Sequence, residues 1–221
     1  MNVAEAVASR RSIRAFTDRP VDLETLRRVL DRARWAPSGC NFQPWQATVL
    51  TGEPLRALQE KMLASQPQEP IEYSFSEPNG SPRHLARLQS LGAAMYGALG
   101  IERGDRQARE EQARDNVVSF GAPALLLCYF ERFMGPPQWS DVGMWLQTIM
   151  LLLREEGLDS CPQEWMALYA RLIKGHIGVP DESHILFCGL AIGYRQEDAV
   201  LNTFERERVP LDEQVRFVGF A

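Results

Sequence analysis

The chain has 221 residues, of which 45% are hydrophobic and 24% charged, with a formal net charge of −5. That is the make-up of an ordinary globular protein large enough for one good core. The acidic balance excludes nucleic acid as the main partner, since duplex binders carry a basic face, while a local basic cluster inside it suits a small anionic ligand.

In chain order, Met1 to Glu5 hold no basic region followed by an apolar run, so no secretory signal is expected. Asp22 is placed to cap a helix in which Leu23, Leu26, Val29, Leu30 and Ala33 follow a helical period, and Pro37 marks its stop. Gln46 to Leu50 predict a strand ending at Gly52, followed by a helix from Pro54 to about Leu63. Ser65 to Ser81, rich in Pro, Gln, Glu and Ser, reads as a long loop. Helices resume from Arg83 to Leu99 and from Asp105 to Val118. This stretch, 65–118, is either a substrate lid or a solvated excursion without function.

Ala124 to Phe130 has the continuous apolar run of a buried strand. Asp141 to Glu155 is apolar on nearly every side and is predicted to be a helix buried all round, which in a chain of this size points to a dimer interface. Its apolar core, Val142 to Leu153, is too short to cross a bilayer, which takes about 20 residues. Ile185 to Tyr194 and Val215 to Phe220 complete about four strands, and their alternation with helices predicts an α+β fold. Cys40, Cys128, Cys161 and Cys188 form no C-x-x-C pair, which fits a reduced, cytoplasmic protein. His84, His176 and His184 lack metal-ligand spacing, and no metal is expected.

Two stretches near the front carry most of the chemistry. Arg10-Arg11-Ser12-Ile13-Arg14-Ala15-Phe16 packs three guanidinium groups and a hydroxyl together, matching the fork geometry that grips phosphate. Ala36-Pro37-Ser38-Gly39-Cys40-Asn41-Phe42-Gln43-Pro44-Trp45 is an irregular loop offering backbone N–H groups and two side-chain amides to a polar heterocycle. The competing account of the first is a basic surface turn; for Trp45 it is packing. Arg206 and Arg208, one residue apart, project to the same side of an extended segment, unless Glu205 and Glu207 pair with them in a charged surface tail. No Ser-His-Asp, Cys-His or paired-carboxylate constellation is visible.

These pieces, with Arg206-Glu207-Arg208 ahead of Pro210-Leu211-Asp212-Glu213, resemble the nitroreductase family of FMN-dependent oxidoreductases, from Val3 to Phe217. The resemblance implies a single domain over 1–221 with a central, mostly antiparallel sheet surrounded by helices. It also implies an intertwined homodimer with exchanged C-terminal strands and flavin sites at the subunit interface. Arg10 and Ser12, with Arg11 beside them, would hold the FMN phosphate, and Arg206 and Arg208 would be further phosphate ligands. Arg14 would lie toward the pyrimidine edge, where a cation favours reduced flavin. Pro37, Ser38, Gly39 and Asn41 would reach a flavin bound mainly by the partner, although the family usually has a second small polar residue where Gly39 stands. Pro162, Gln163 and Glu164 would border flavin N5, with Trp165 where most relatives have a small residue. Asn116 would contact the pyrimidine ring.

The implied activity is a ping-pong cycle in which NADH or NADPH passes a hydride to the flavin and a nitroaromatic, or next a quinone, takes the electrons. The alternatives are a flavin-binding protein without turnover, its pocket closed by Trp165, or a relative acting on another electron-poor acceptor such as an enone. Tyr96, Trp139, Trp165 and Tyr169 are candidate walls, with packing as the equal alternative. Arg83 or Arg87 are candidates to hold a substrate carboxylate, as in nitrobenzoate-type reductases. The two lysines, Lys61 and Lys174, fall outside the helical insert, which disfavours the dehalogenase branch.

Overall fold

Four strands, β1 (Gln46–Thr51), β2 (Ala124–Glu131), β3 (Asp159–Gln163) and β4 (His184–Gly193), form one antiparallel sheet in the order β1-β2-β4-β3. The computed structural model describes residues 1–75 and 78–220; Ser76 and Glu77, inside the Ser65–Ser81 loop, and Ala221 lie outside the described residues. Around the sheet run α1 (Val3–Ser9), α2 (Leu23–Ala33), α3 (Gly52–Leu63), α4 (Pro82–Ala98), α5 (Arg106–Arg114), α6 (Pro136–Glu155), α7 (Ala170–Ile177) and α8 (Val200–Thr203). The α+β architecture follows the sequence expectation.

The two apolar central strands bury both faces, because alternate side chains enter opposite layers. Leu126 and Cys128 of β2 pack with Val29 of α2 and Ile149 and Leu153 of α6, whereas Leu125 and Leu127 meet Leu58 of α3 and Ile173 of α7. Cys128 and Cys188 face each other across β2 and β4 as buried free thiols, as their apolar surroundings predict. Asp22 caps α2, accepting the Thr25 N–H at 2.8 Å. Trp45 stacks on Trp145 with ring centroids 5.8 Å apart, so its role in one chain is packing.

Four sequence expectations need correcting. Residues 215–220 form no strand; they are irregular and exposed, because no edge of this chain's sheet lies beside them to complete a ladder. The fourth strand is instead β3, hidden in the sequence by Pro162, which an edge strand accommodates. α5 stops at Arg114, short of Val118, and the chain then makes a tight turn with left-handed φ at Ser119 and Phe120. α6 starts five residues early, on Pro136 and Pro137. Within a single chain its Gly143 and Met144 open onto the surface, the face left for the expected dimer partner.

The insert has two unlike halves. Its loop is pinned: Gln68 donates its N–H to Leu168 O at 2.7 Å, Tyr73 donates its hydroxyl to Phe187 O at 2.6 Å, and the Glu72 carboxylate is 2% exposed beneath Lys174 and Arg132. Its helices α4 and α5, by contrast, bury no residue.

The end of β4 is tight. A Cβ on Gly193 would stand 2.7 Å from Pro123 Cδ and 3.0 Å from Phe16 Cδ1. The proline ring is tethered to the backbone and cannot swing aside. Gly193→Ala is therefore expected to lower stability by about 1–3 kcal/mol, read as a fall in denaturant midpoint at unchanged slope.

Candidate functional site

The site is built where the two ends of the chain meet. α1 opens with a reciprocal capping box, Asn2 accepting the Glu5 N–H and Glu5 the Asn2 N–H, both at 2.9 Å, and gives way at Arg10 to extended backbone. That segment runs along the free edge of β3, where Ile13 donates its N–H to Ser160 O at 3.1 Å and buries its side chain completely. Further on, Thr17 N–H reaches Tyr194 O at 2.8 Å and Gln196 N–H reaches Ala15 O at 3.0 Å, which ties the segment to the exit of β4.

The C-terminal arm then folds back over it. Asn202, 2% exposed, accepts the Arg14 N–H at 2.8 Å and donates to Ala15 O at 2.8 Å and Gln196 O at 2.9 Å. Arg11 donates to Phe204 O with its guanidinium 5.7 Å from the Phe204 ring. Arg206 donates to Arg10 O and, at 2.8 Å, to Ala8 O. Asn202 and these two arginines staple the arm, and nothing in the spacing of Asn202 announces that role. Asn202→Ala would orphan the Arg14 N–H and strip one of two donors from each of Ala15 O and Gln196 O; a loss of about 2 kcal/mol is expected in thermal or denaturant unfolding.

Five guanidinium groups are thereby gathered. Burial, then Arg208, pushes the Arg10 pKa down. Burial, then Arg195 and Arg14, does so for Arg11. Burial followed by Arg10, Arg208, Arg11 and Arg195 does so for Arg206. Among the described residues none of Arg10, Arg11, Arg14, Arg206 or Arg208 forms an ion pair. The surface-tail account of Arg206 and Arg208 needs Glu205 or Glu207 as a partner, but among the described residues neither forms an ion pair, and the Glu207 carboxylate accepts the Ser90 hydroxyl at 3.1 Å. A cluster of mutually repelling cations with no carboxylate partner among the described residues is the donor set a phosphate requires. Beside it, between α4 and residues 205–210, lies a groove of about 700 Å³ lined in part by Arg87, Ser90, Leu91, Arg206 and Arg208.

The arginines adjoin the end of β3. Burial pushes the Cys161 thiol up, and Arg14, Ser12 and Arg10 close to it offset part of the rise, leaving it at about 11. Beyond it the side chains alternate: Pro162 and Glu164 are exposed, while Gln163 is buried and donates to Asn116 O at 2.9 Å. Gln163 and Asn116 are thus brought together, and among the described residues Gln163 Oε1 is buried without a hydrogen-bond partner. Glu164 is near enough to Tyr73, held by the insert loop, to help burial push its phenol up. Trp165 turns into the α3–α7 core rather than over the open edge.

Other candidate walls disperse. Trp139 is edge-on to Phe130 at 5.0 Å, Tyr169 is buried in the core, and Tyr96 lies under the Arg109 guanidinium at 4.2 Å. Arg87 is 3.4 Å from Glu213. The Pro37–Gln43 loop is not brought to the arginines within one chain. Gly39 N–H bonds Asp141 near the start of α6 at 3.2 Å, whereas Arg154 at its far end reaches Ser9 at 3.4 Å. Those two points are roughly 20 Å apart along the helix at about 1.5 Å per residue. The loop keeps its irregular shape through left-handed φ at Cys40, Asn41 and Gln43, and the Ser38 hydroxyl accepts the Gln43 N–H at 3.0 Å.

No helix among the described residues is long and apolar enough to cross a membrane. The profile of the nitroreductase family matches residues 7–194. The 4-nitrobenzoate reductase of Pseudomonas putida is 34% identical over 215 residues, covering 97% of this chain and 94% of its own length. Among solved structures, the FMN and NADPH-dependent nitroreductase NfnB from Sphigopyxis sp. strain HMH superposes with a TM-score of 0.94 at 45% identity, with all of both chains covered. The FMN-dependent nitroreductase NfnB from Mycobacterium smegmatis, solved in complex with NADPH, gives 0.91 at 27% identity over 97% of each chain. Sequence profile, relatives and backbone agree with the motifs at both ends of the chain, and the protein belongs to the nitroreductase family.

Proposed function

We propose that the chain is an FMN-dependent oxidoreductase that draws electrons from NADPH or NADH and reduces nitroaromatic compounds, with quinones as the next acceptor class. The observation that carries this reading is the arginine cluster assembled from both chain ends, with no carboxylate partner among the described residues for Arg10, Arg11, Arg14, Arg206 or Arg208. Arg10, Arg208 and Ser12 would hold the phosphate, while Arg11, which donates to Phe204 O, and Arg206, which donates to Arg10 O and Ala8 O, would hold the arm in place. Arg14, with an unpaired guanidinium beside Cys161, would face the pyrimidine edge, and Pro162, Gln163, Glu164 and Asn116 would border the ring. When bound, FMN supplies the redox chemistry, accepting a hydride and passing electrons on. The protein's part is to fix its position and to set a cation where negative charge gathers.

A second copy of the chain would complete the site. The span between the Pro37–Asn41 loop and the arginines, the open Gly143–Met144 stripe of α6 and the exposed tail at 215–220 all support a homodimer in which Pro37, Ser38, Gly39 and Asn41 serve the partner's flavin. The unburied helices α4 and α5 fit a lid over that site within a single-domain, cytoplasmic enzyme. The visible spectrum of freshly purified protein tests the reading first. Flavin bands, with FMN released on denaturation, are expected. A colourless protein that takes up no added FMN would overturn it.

A further inference from the structure

We propose that Asp159 is a positioning residue for the cofactor phosphate, acting through two arginines that are not themselves ligands; this rests on the FMN reading above. Its carboxylate is 3% exposed at the first residue of β3. It accepts both donors of the Arg195 fork, Nε at 2.7 Å and Nη2 at 2.6 Å, and Arg154 Nη1 at 2.8 Å. Three charge-assisted bonds on one buried carboxylate fix it and both partners rigidly.

Each partner ends at one side of the phosphate cluster. Arg154, in the last turn of α6, also donates to Leu158 O at 3.1 Å and to the Ser9 hydroxyl at 3.4 Å. Ser9 is the last residue of α1, so this contact sets where Arg10, Arg11 and Ser12 begin. Arg195 follows the exit of β4 and bridges to Phe16, and its charge bears on Arg11 and Arg206, which staple the arm. One carboxylate therefore registers the front motif and the C-terminal arm against the same strand. A further cation held behind the cluster would otherwise spring away from it; Asp159 keeps it there.

Asp159→Asn keeps the shape but turns an N–H₂ toward an arginine donor, so one partner must let go. The experiment titrates flavin-free protein with FMN and with riboflavin, which lacks only the phosphate, and compares the two affinities. Wild type is expected to favour FMN strongly. In Asp159→Asn that preference should shrink about tenfold or more while riboflavin affinity stays unchanged, and Asp159→Glu should recover part of it. A merely structural role would weaken both flavins together and would overturn the proposal. An unchanged preference, or tighter FMN binding, would overturn it too, the latter making Asp159 only a competing counter-charge. Should the Asn variant not fold, Arg154→Gln breaks the link from Asp159 to Ser9, together with the bond to Leu158 O, leaves the Arg195 fork on Asp159 in place, and must narrow the same preference. A wild type that does not prefer FMN to riboflavin would defeat the FMN reading itself, and with it this role.

Discussion

Replacing Arg10 and Arg208 together with glutamine is expected to weaken FMN binding about 1000-fold, enough for the protein to emerge from gel filtration without flavin. Each is a cation whose donors are not consumed by a carboxylate. A charge-assisted bond to phosphate contributes about 2 kcal/mol, so each single variant should cost roughly 30-fold. Glutamine keeps the stem and some donor capacity, so folding is expected to survive. Arg206→Gln should behave differently, because Arg206 spends its fork on Ala8 O and Arg10 O. It should lower thermal stability as well as flavin content, whereas Arg10→Gln in flavin-free protein should raise stability slightly by relieving repulsion. Full flavin retention in the double variant would contradict the phosphate assignment.

Lys174→Met is expected to be the most damaging single change to the fold. The ammonium is fully buried, donates to Glu72 at 2.9 Å and His184 O at 2.8 Å, and forms an ion pair with Asp181 at 2.7 Å. Removing one partner of a buried ion pair leaves the other charge uncompensated, at a cost of about 3–5 kcal/mol. Arg132, 2.7 Å from the other Glu72 oxygen, holds the loss near the lower figure. A fall in Tm of about 10 °C follows for a chain of this size. Acid should loosen the same network. The hydrogen bond from Lys174 holds the Asp181 carboxyl below its ordinary value. Its contribution is thus complete at neutral pH and is lost as pH falls through the carboxylate range. In Lys174→Met that part of the acid dependence should disappear.

The insert loop is where sequence and structure diverge most instructively. Its Pro, Gln, Glu and Ser content reads as solvated chain, yet Glu72 and Tyr73 anchor it on partners about 100 residues away, which no local pattern announces. Elements with a strong period were legible: α2 with its Asp22 cap and the apolar β2. β3 was not, because Asp159-Ser160-Cys161-Pro162-Gln163 has neither β-branched residues nor alternation; it is a strand because β4 and the Ser12–Ile13 segment flank it. The tail at 215–220 has the apolar content of a strand without a ladder in its own chain. For the site, the arginine motifs were legible because their chemistry is local to a few residues. Asn202, Asp159 and Arg195 were not, since each matters only through what folding brings against it.

The measurement that bears most directly on the central claim is anaerobic double mixing of the flavin-loaded protein, first with NADPH or NADH and then with 4-nitrobenzoate, followed by visible absorbance. The bound flavin is expected to bleach with at least one of the nicotinamides and to recover its colour when the nitro compound is added, yielding a reduced nitrogen product. Flavin that stays coloured with both nicotinamides, or bleached flavin that neither the nitroaromatic nor a quinone reoxidises, would contradict the assignment and leave a flavin-binding protein without this turnover.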